Sequence, residues 1–113
     1  MTDLEIAKKY ISKINNAEEK GHEFSLTLPE FTKLMRRKTC FFTRVVINDK
    51  LHQTGNARTL DRLDNSKGYV TGNVVACTFY FNRLKAVFEN PTSDLKPKQL
   101  IRGLQKLKGI LWK

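Results

Sequence analysis

Cysteine, proline, acidic side chains and long apolar runs are what this chain has least of. Its two cysteines, Cys40 and Cys77, are too few in 113 residues for a disulfide framework, which excludes the small stapled secreted scaffolds and fits a reducing compartment. No stretch approaches the roughly 18 consecutive apolar residues of a membrane span. The opening Met1-Thr2-Asp3-Leu4-Glu5 has no basic lead before an apolar segment, so neither a membrane protein nor a secreted one is expected, and the expected location is cytoplasmic. There is no internal repeat and no low-complexity tract.

What is present argues for one folded, basic domain over 1–113. Apolar residues at 40% supply enough burial to repay backbone ordering, which excludes a wholly disordered basic tail. Basic residues number 21 against 11 acidic ones, a net charge of +10. Residues 1–30 hold four lysines and six acidic residues, a net of −2, so the other 17 basic and five acidic residues give 31–113 a net of +12. Such a field attracts polyanions: nucleic acid first, acidic protein surfaces second, anionic lipid third.

Along the chain, Thr2-x-x-Glu5 is a capping-box sequence that opens a helix closing near Gly21, with Ile6, Tyr10 and Ile14 at helical spacing. A second box, Thr27-x-x-Glu30, opens a helix to about Arg37 with Pro29 in its first turn. From Thr39 to Asn48 the residues are β-branched and aromatic, which predicts strand or hairpin. Residues 52–57 read as loop, 59–64 as a short half-buried strand, and 65–68 and 71–73 as turns. The apolar stretch Val74 to Phe88 reads as a helix with Asn73 as its N-cap, stopping at Asn90-Pro91. A last, basic amphipathic helix is expected from Ser93 or Asp94 to Trp112, with Leu100, Leu104, Leu107 and Leu111 on one stripe. The domain thus divides into N-terminal helices (1–38), a core (39–90) and a basic C-terminal helix (91–113).

Folding explains residues 59–85 least. Asp61 and Asp64, three apart in a strand, fall on opposite faces, so one carboxylate facing a pocket is expected rather than an acid/base pair. Asn82 lies in an apolar helix, where an amide costs stability unless it is bonded or used. His22 reads as a surface or capping residue, and Trp112 as a core or interface anchor. The phosphate contacts expected of the basic set are Arg36, Arg37, Lys38, Arg44, Arg58 and Lys67, then Arg83, Lys85, Lys98, Arg102 and Lys106. The run 36–38 serves equally as a charge complement to its own helix C-terminus.

The string Thr59-Leu60-Asp61-Arg62-Leu63-Asp64-Asn65-Ser66-Lys67-Gly68-Tyr69-Val70-Thr71-Gly72-Asn73-Val74-Val75, followed by Asn82-Arg83-Leu84-Lys85, resembles the HNH-type endonuclease domains common in bacteriophage genomes. The resemblance covers 24–85 and is specific from 60 to 85. It implies an α+β fold with a ββα-metal finger: two antiparallel strands and a helix around one Mg²⁺ or Mn²⁺. Asp61 and Asn82 would be the metal ligands, and Asn73 would brace the loop against the helix start. Arg62 stands where most members have a His that deprotonates water, and a guanidinium is no base near neutral pH. His52, Asp64 or a metal-activated water remain as candidates for the base, and Arg62 as a phosphate clamp. Zinc-bearing relatives carry two C-x-x-C pairs; here these read Cys40-x-x-Thr43 and Cys77-x-x-Tyr80, so no structural zinc is expected. Packing of Phe41, Phe42, Phe79 and Phe81, with Cys40 and Cys77 close in the core, would replace it.

The expected function is a metal-dependent endonuclease, phage-encoded, that nicks or cuts duplex DNA. The alternative is a catalytically inactive DNA-binding protein or inhibitor of a host factor on the same scaffold. A membrane-surface role would rest on residues 95–113 alone and is not expected. Monomer and homodimer both remain open. If the nuclease reading holds, the basic surface should surround Asp61 and Asn82.

Overall fold

A computed structural model describes residues 1–89 and 94–112. The chain divides into two compact units, Met1–Asn82 and Arg83–Lys113.

Helix α1, Asp3–Glu19, starts where the Thr2 hydroxyl accepts the Glu5 N–H at 3.1 Å, and it ends at Lys20. Gly21, at φ 72°, then takes the left-handed turn that lets the His22 N–H reach the Ala17 carbonyl at 2.8 Å. Helix α2, Leu28–Met35, has the complete reciprocal box: the Glu30 N–H donates to Thr27 Oγ1 at 3.3 Å, and the Thr27 N–H to Glu30 Oε1 at 3.0 Å. Ile6 from α1 and Phe31 and Met35 from α2 are buried together, with Tyr10, Phe24 and Leu60 packed against them. The Tyr10 ring meets Phe24 and Phe31 edge-on at 5.6 and 5.3 Å, and its hydroxyl donates to the Leu26 carbonyl at 2.6 Å.

Strands β1, Arg58–Arg62, and β2, Val74–Thr78, form an antiparallel hairpin in which Asp61 stands opposite Val75. The second strand corrects the helix expected from Val74. Every residue of 74–78 is buried, and on both faces of a sheet a continuous apolar run is what burial requires, so helical periodicity was the wrong template for it. Helix α3 therefore begins only at Phe79 and runs to Glu89.

Residues 39–48 form no strand. A single bridge joins Thr39 to Val46, while Cys40 N–H bonds the Val45 carbonyl and Arg44, at φ 62°, closes the turn back to the Cys40 carbonyl. The turn docks instead through the Phe41 N–H, which donates to the Ala76 carbonyl at 2.9 Å. Helix α4, Pro97–Leu111, begins later than expected, with Lys96 as its N-cap and Asp94 ahead of it. The predicted helix stop at Asn90-Pro91, the alternative start at Ser93, and Lys113 lie outside the described residues. Among the described residues the architecture is α+β, with four helices and one two-stranded antiparallel hairpin.

Candidate functional site

Side chains alternate along β1, so Arg58, Leu60 and Arg62 share one face and Thr59 and Asp61 the other. Leu60 packs on the α1/α2 core, which places Asp61 on the face away from that core, beside Val75 and Cys77 across the hairpin. Asp61 is 8% exposed. Asp61 and Arg62, neighbours in sequence, thus work on opposite sides of the sheet.

The Arg62 guanidinium is used by the fold. Its Nη1 donates to the Asn65 and Lys67 carbonyls at 3.2 and 3.1 Å and meets His22 Nδ1 at 3.4 Å. The guanidinium carbon lies 5.6 Å from the Tyr69 ring centre, and Lys13 Nζ stands 4.6 Å from the same centre. Arg62 and His22 line one concavity of about 400 Å³, together with Ser66, Lys67 and Val70. His22 is half-buried and holds this corner against Tyr69. Nothing in its spacing signals that role, since its partners come from residues 62 and 69.

Asn73 ties the loop between the strands. Its Oδ1 accepts the Asp64 N–H at 2.8 Å, and its Nδ2 donates to the Asp64 and Gly68 carbonyls at 3.1 and 2.9 Å. It braces the loop ahead of β2 and is not the N-cap of a helix, because the residues after it are strand. Asp64 is exposed and bonded within the same loop, where the Ser66 hydroxyl and then its N–H hold the carboxyl below its usual range. Asn82 is half-buried and stands in the first turn of α3, not in the middle of a long helix. Its side chain sits one turn past Thr78, whose hydroxyl accepts the Phe81 N–H at 3.3 Å.

His52 is exposed on the loop ahead of β1. It lines a second concavity with Thr59, Leu60 and Phe79, whereas neither of these two concavities is lined by Asp61 or Asn82. Among the expected phosphate contacts, three are engaged internally. Arg58 makes a two-pronged pair with Asp49 at 2.9 and 3.0 Å and also donates to the Leu34 carbonyl, leaving its side chain 8% exposed. Arg36 pairs with Asp3, and Lys85 with Glu89 one helical turn on. Arg37, Lys38, Arg44, Lys67, Arg83, Lys98, Arg102 and Lys106 are exposed.

Cys40 and Cys77 form no disulfide and are 1% and 0% exposed. Burial pushes the Cys40 thiol up, but hydrogen bonds from the Thr43 hydroxyl and N–H and from the Thr78 and Phe42 backbone outweigh it and bring the thiol below its ordinary value. Of the aromatics expected to pack nearby, Phe42 stacks on Phe81 at 4.9 Å, whereas Phe41 meets Phe42 edge-on and is 49% exposed.

Among the described residues, no three of His, Cys, Asp and Glu gather in metal-binding geometry. Mg²⁺ keeps several waters and takes one or two protein oxygens plus substrate phosphates. A buried carboxylate at Asp61 and a carboxamide oxygen at Asn82 are oxygen donors of that kind. Compared with known proteins, the chain matches no family model, no curated protein and no solved structure, so its functional reading rests on the residues themselves.

Proposed function

We propose that the chain is an HNH-like, divalent-metal-dependent DNA endonuclease, phage-encoded and acting in the host cytoplasm, in which Asp61 and Asn82 hold one Mg²⁺ or Mn²⁺. One observation carries this reading: a hairpin and a helix contiguous in the chain, with a buried carboxylate on β1 and a connecting loop held by three side-chain hydrogen bonds of Asn73. The ion, when bound, supplies positive charge for the scissile phosphate and the leaving oxygen. Asn73 keeps the loop in one conformation, and the exposed Lys67 on that loop meets a phosphate of the strand.

Arg62 favours a second reading. With Nη1 held by two loop carbonyls and against His22 Nδ1, on the side of the strand opposite Asp61, it neither accepts a proton nor clamps a phosphate at Asp61, and His52 lies in a different concavity. A nuclease-dead scaffold that binds DNA or a host protein would need no base at all.

Supercoiled plasmid incubated with the pure chain and Mg²⁺ or Mn²⁺ separates the two. The expected result is nicking that falls at least about 10-fold in Asp61→Ala and in Asn82→Ala, since even outer-shell partners of metal ligands cost about 10- to 100-fold. No nicking with any divalent ion, or equal nicking by Asp61→Ala, leaves the binding reading.

A further inference from the structure

The larger of the two concavities, about 680 Å³, lies within the first unit, between α1 and the loop that leads into β1. That volume is in the range of small-ligand clefts, about 300–1,000 Å³. Its floor is apolar: Met35 and Ala57 are buried, and Leu60 and Phe79 are partly so. The floor is also fixed, because the Phe79 N–H donates to the Ala57 carbonyl at 2.8 Å and the Tyr80 N–H to the Gly55 carbonyl at 2.7 Å.

The rim is cationic. Two carboxylates line it, Glu5 and Asp49, and both are engaged: Glu5 accepts from the Thr2 hydroxyl, and Asp49 is held by both prongs of Arg58. Lys13 contributes its stem while its ammonium stands over Tyr69. Lys9 and Lys50 remain at the mouth, both exposed, with His52 beside them. Lys9 comes from the N-terminal segment that is net acidic in sequence, so only folding brings it to the cations of the later chain.

An apolar floor with an aromatic edge and two lysines at the mouth is suited to an anion that carries a flat apolar body. We propose that this cleft binds one nucleotide, its phosphate against Lys9 and Lys50 and its base over Leu60 and Phe79. Aromatic faces accept any base, so the site reads the nucleotide class and not its sequence. The ligand is either a free nucleotide or one unit of a single strand. The proposal shares with the preceding reading only a nucleic-acid partner, and it uses neither Asp61 nor Asn82.

The test is an NMR titration of the full chain with five probes: deoxyadenosine 5′-monophosphate, deoxyadenosine, inorganic phosphate, a single-stranded oligodeoxyadenylate and a duplex. The expected result is that the monophosphate or the single strand shifts the amides of Leu51, His52, Leu60 and Phe79. Lys9→Glu and Lys50→Glu, at exposed positions, should each weaken that binding about tenfold, as loss of one charge-assisted contact does. Binding by the monophosphate assigns a free-nucleotide site, and binding by the strand alone assigns a strand subsite. Phosphate binding as tightly as the nucleotide, shifts confined to other residues, binding by duplex alone, or no shift with any probe would overturn the proposal. Asp61→Ala should bind the nucleotide like the unaltered chain, so loss of nicking and loss of this site are read separately.

Discussion

At the scale of single residues, the hairpin loop is determined by close contacts that admit no larger atom. Gly68 packs on Glu23, whose carbonyl accepts the Tyr69 N–H at 2.7 Å, and a Cβ at position 68 would lie 2.2 Å from that carbonyl oxygen. The obstacle is backbone, so it cannot rotate away. Gly68→Ala is expected to destabilise the first unit by about 2 kcal/mol or more, measured by urea unfolding. Asp49 carries a pH signature. The hydrogen bonds from Arg58 hold its carboxyl below the ordinary value of 3.8, so the pair stabilises the fold fully above the carboxylate range and loses that contribution as pH falls through it. The gap in stability between the unaltered chain and Asp49→Asn should therefore shrink on acidification below about pH 4, and a gap unchanged there would show that the pair contributes nothing.

At the scale of elements, the informative error is β2. Val74-Val75-Ala76-Cys77-Thr78 has no alternation of polar and apolar residues, so periodicity alone does not separate a fully buried strand from a buried helix. Pairing with β1 decides it, and that pairing is a contact between residues 12 to 20 positions apart. Helix α4 is the opposite case, legible from Leu100, Leu104, Leu107 and Leu111 at helical spacing. None of its residues is buried, and Gly103 and Gly109 have nothing within 4 Å of where a Cβ would be. The helix therefore depends on its own propensity. Replacing both glycines by Ala should stabilise it by about 1 kcal/mol each and raise helical circular dichroism; no gain in ellipticity would mean that packing already holds it.

At the scale of the molecule, a net charge of +10 is distributed by the fold into engaged and exposed cations. Arg58 serves the interior, Arg62 serves the loop, and Lys38, Lys67, Arg102 and Lys106 reach solvent. If six or more exposed cations meet phosphates, duplex affinity should fall about 10³-fold or more between 50 and 200 mM salt. A flat salt dependence in a binding titration would redirect attention to a protein partner.

The sequence by itself determined the two capped N-terminal helices, the basic amphipathic helix at the C-terminal end and the turn chemistry of 65–73. Each follows from interactions that close within a few residues, such as a Thr hydroxyl and a Glu three positions on, or a stripe recurring every turn. Tertiary structure alone decided that 74–78 is a strand and that Arg62 faces loop carbonyls while Asp61 faces the other way. It also decided that Lys9 joins Lys50 at one cleft. Those outcomes depend on which distant segments meet, and local spacing carries no information about a partner 40 residues away.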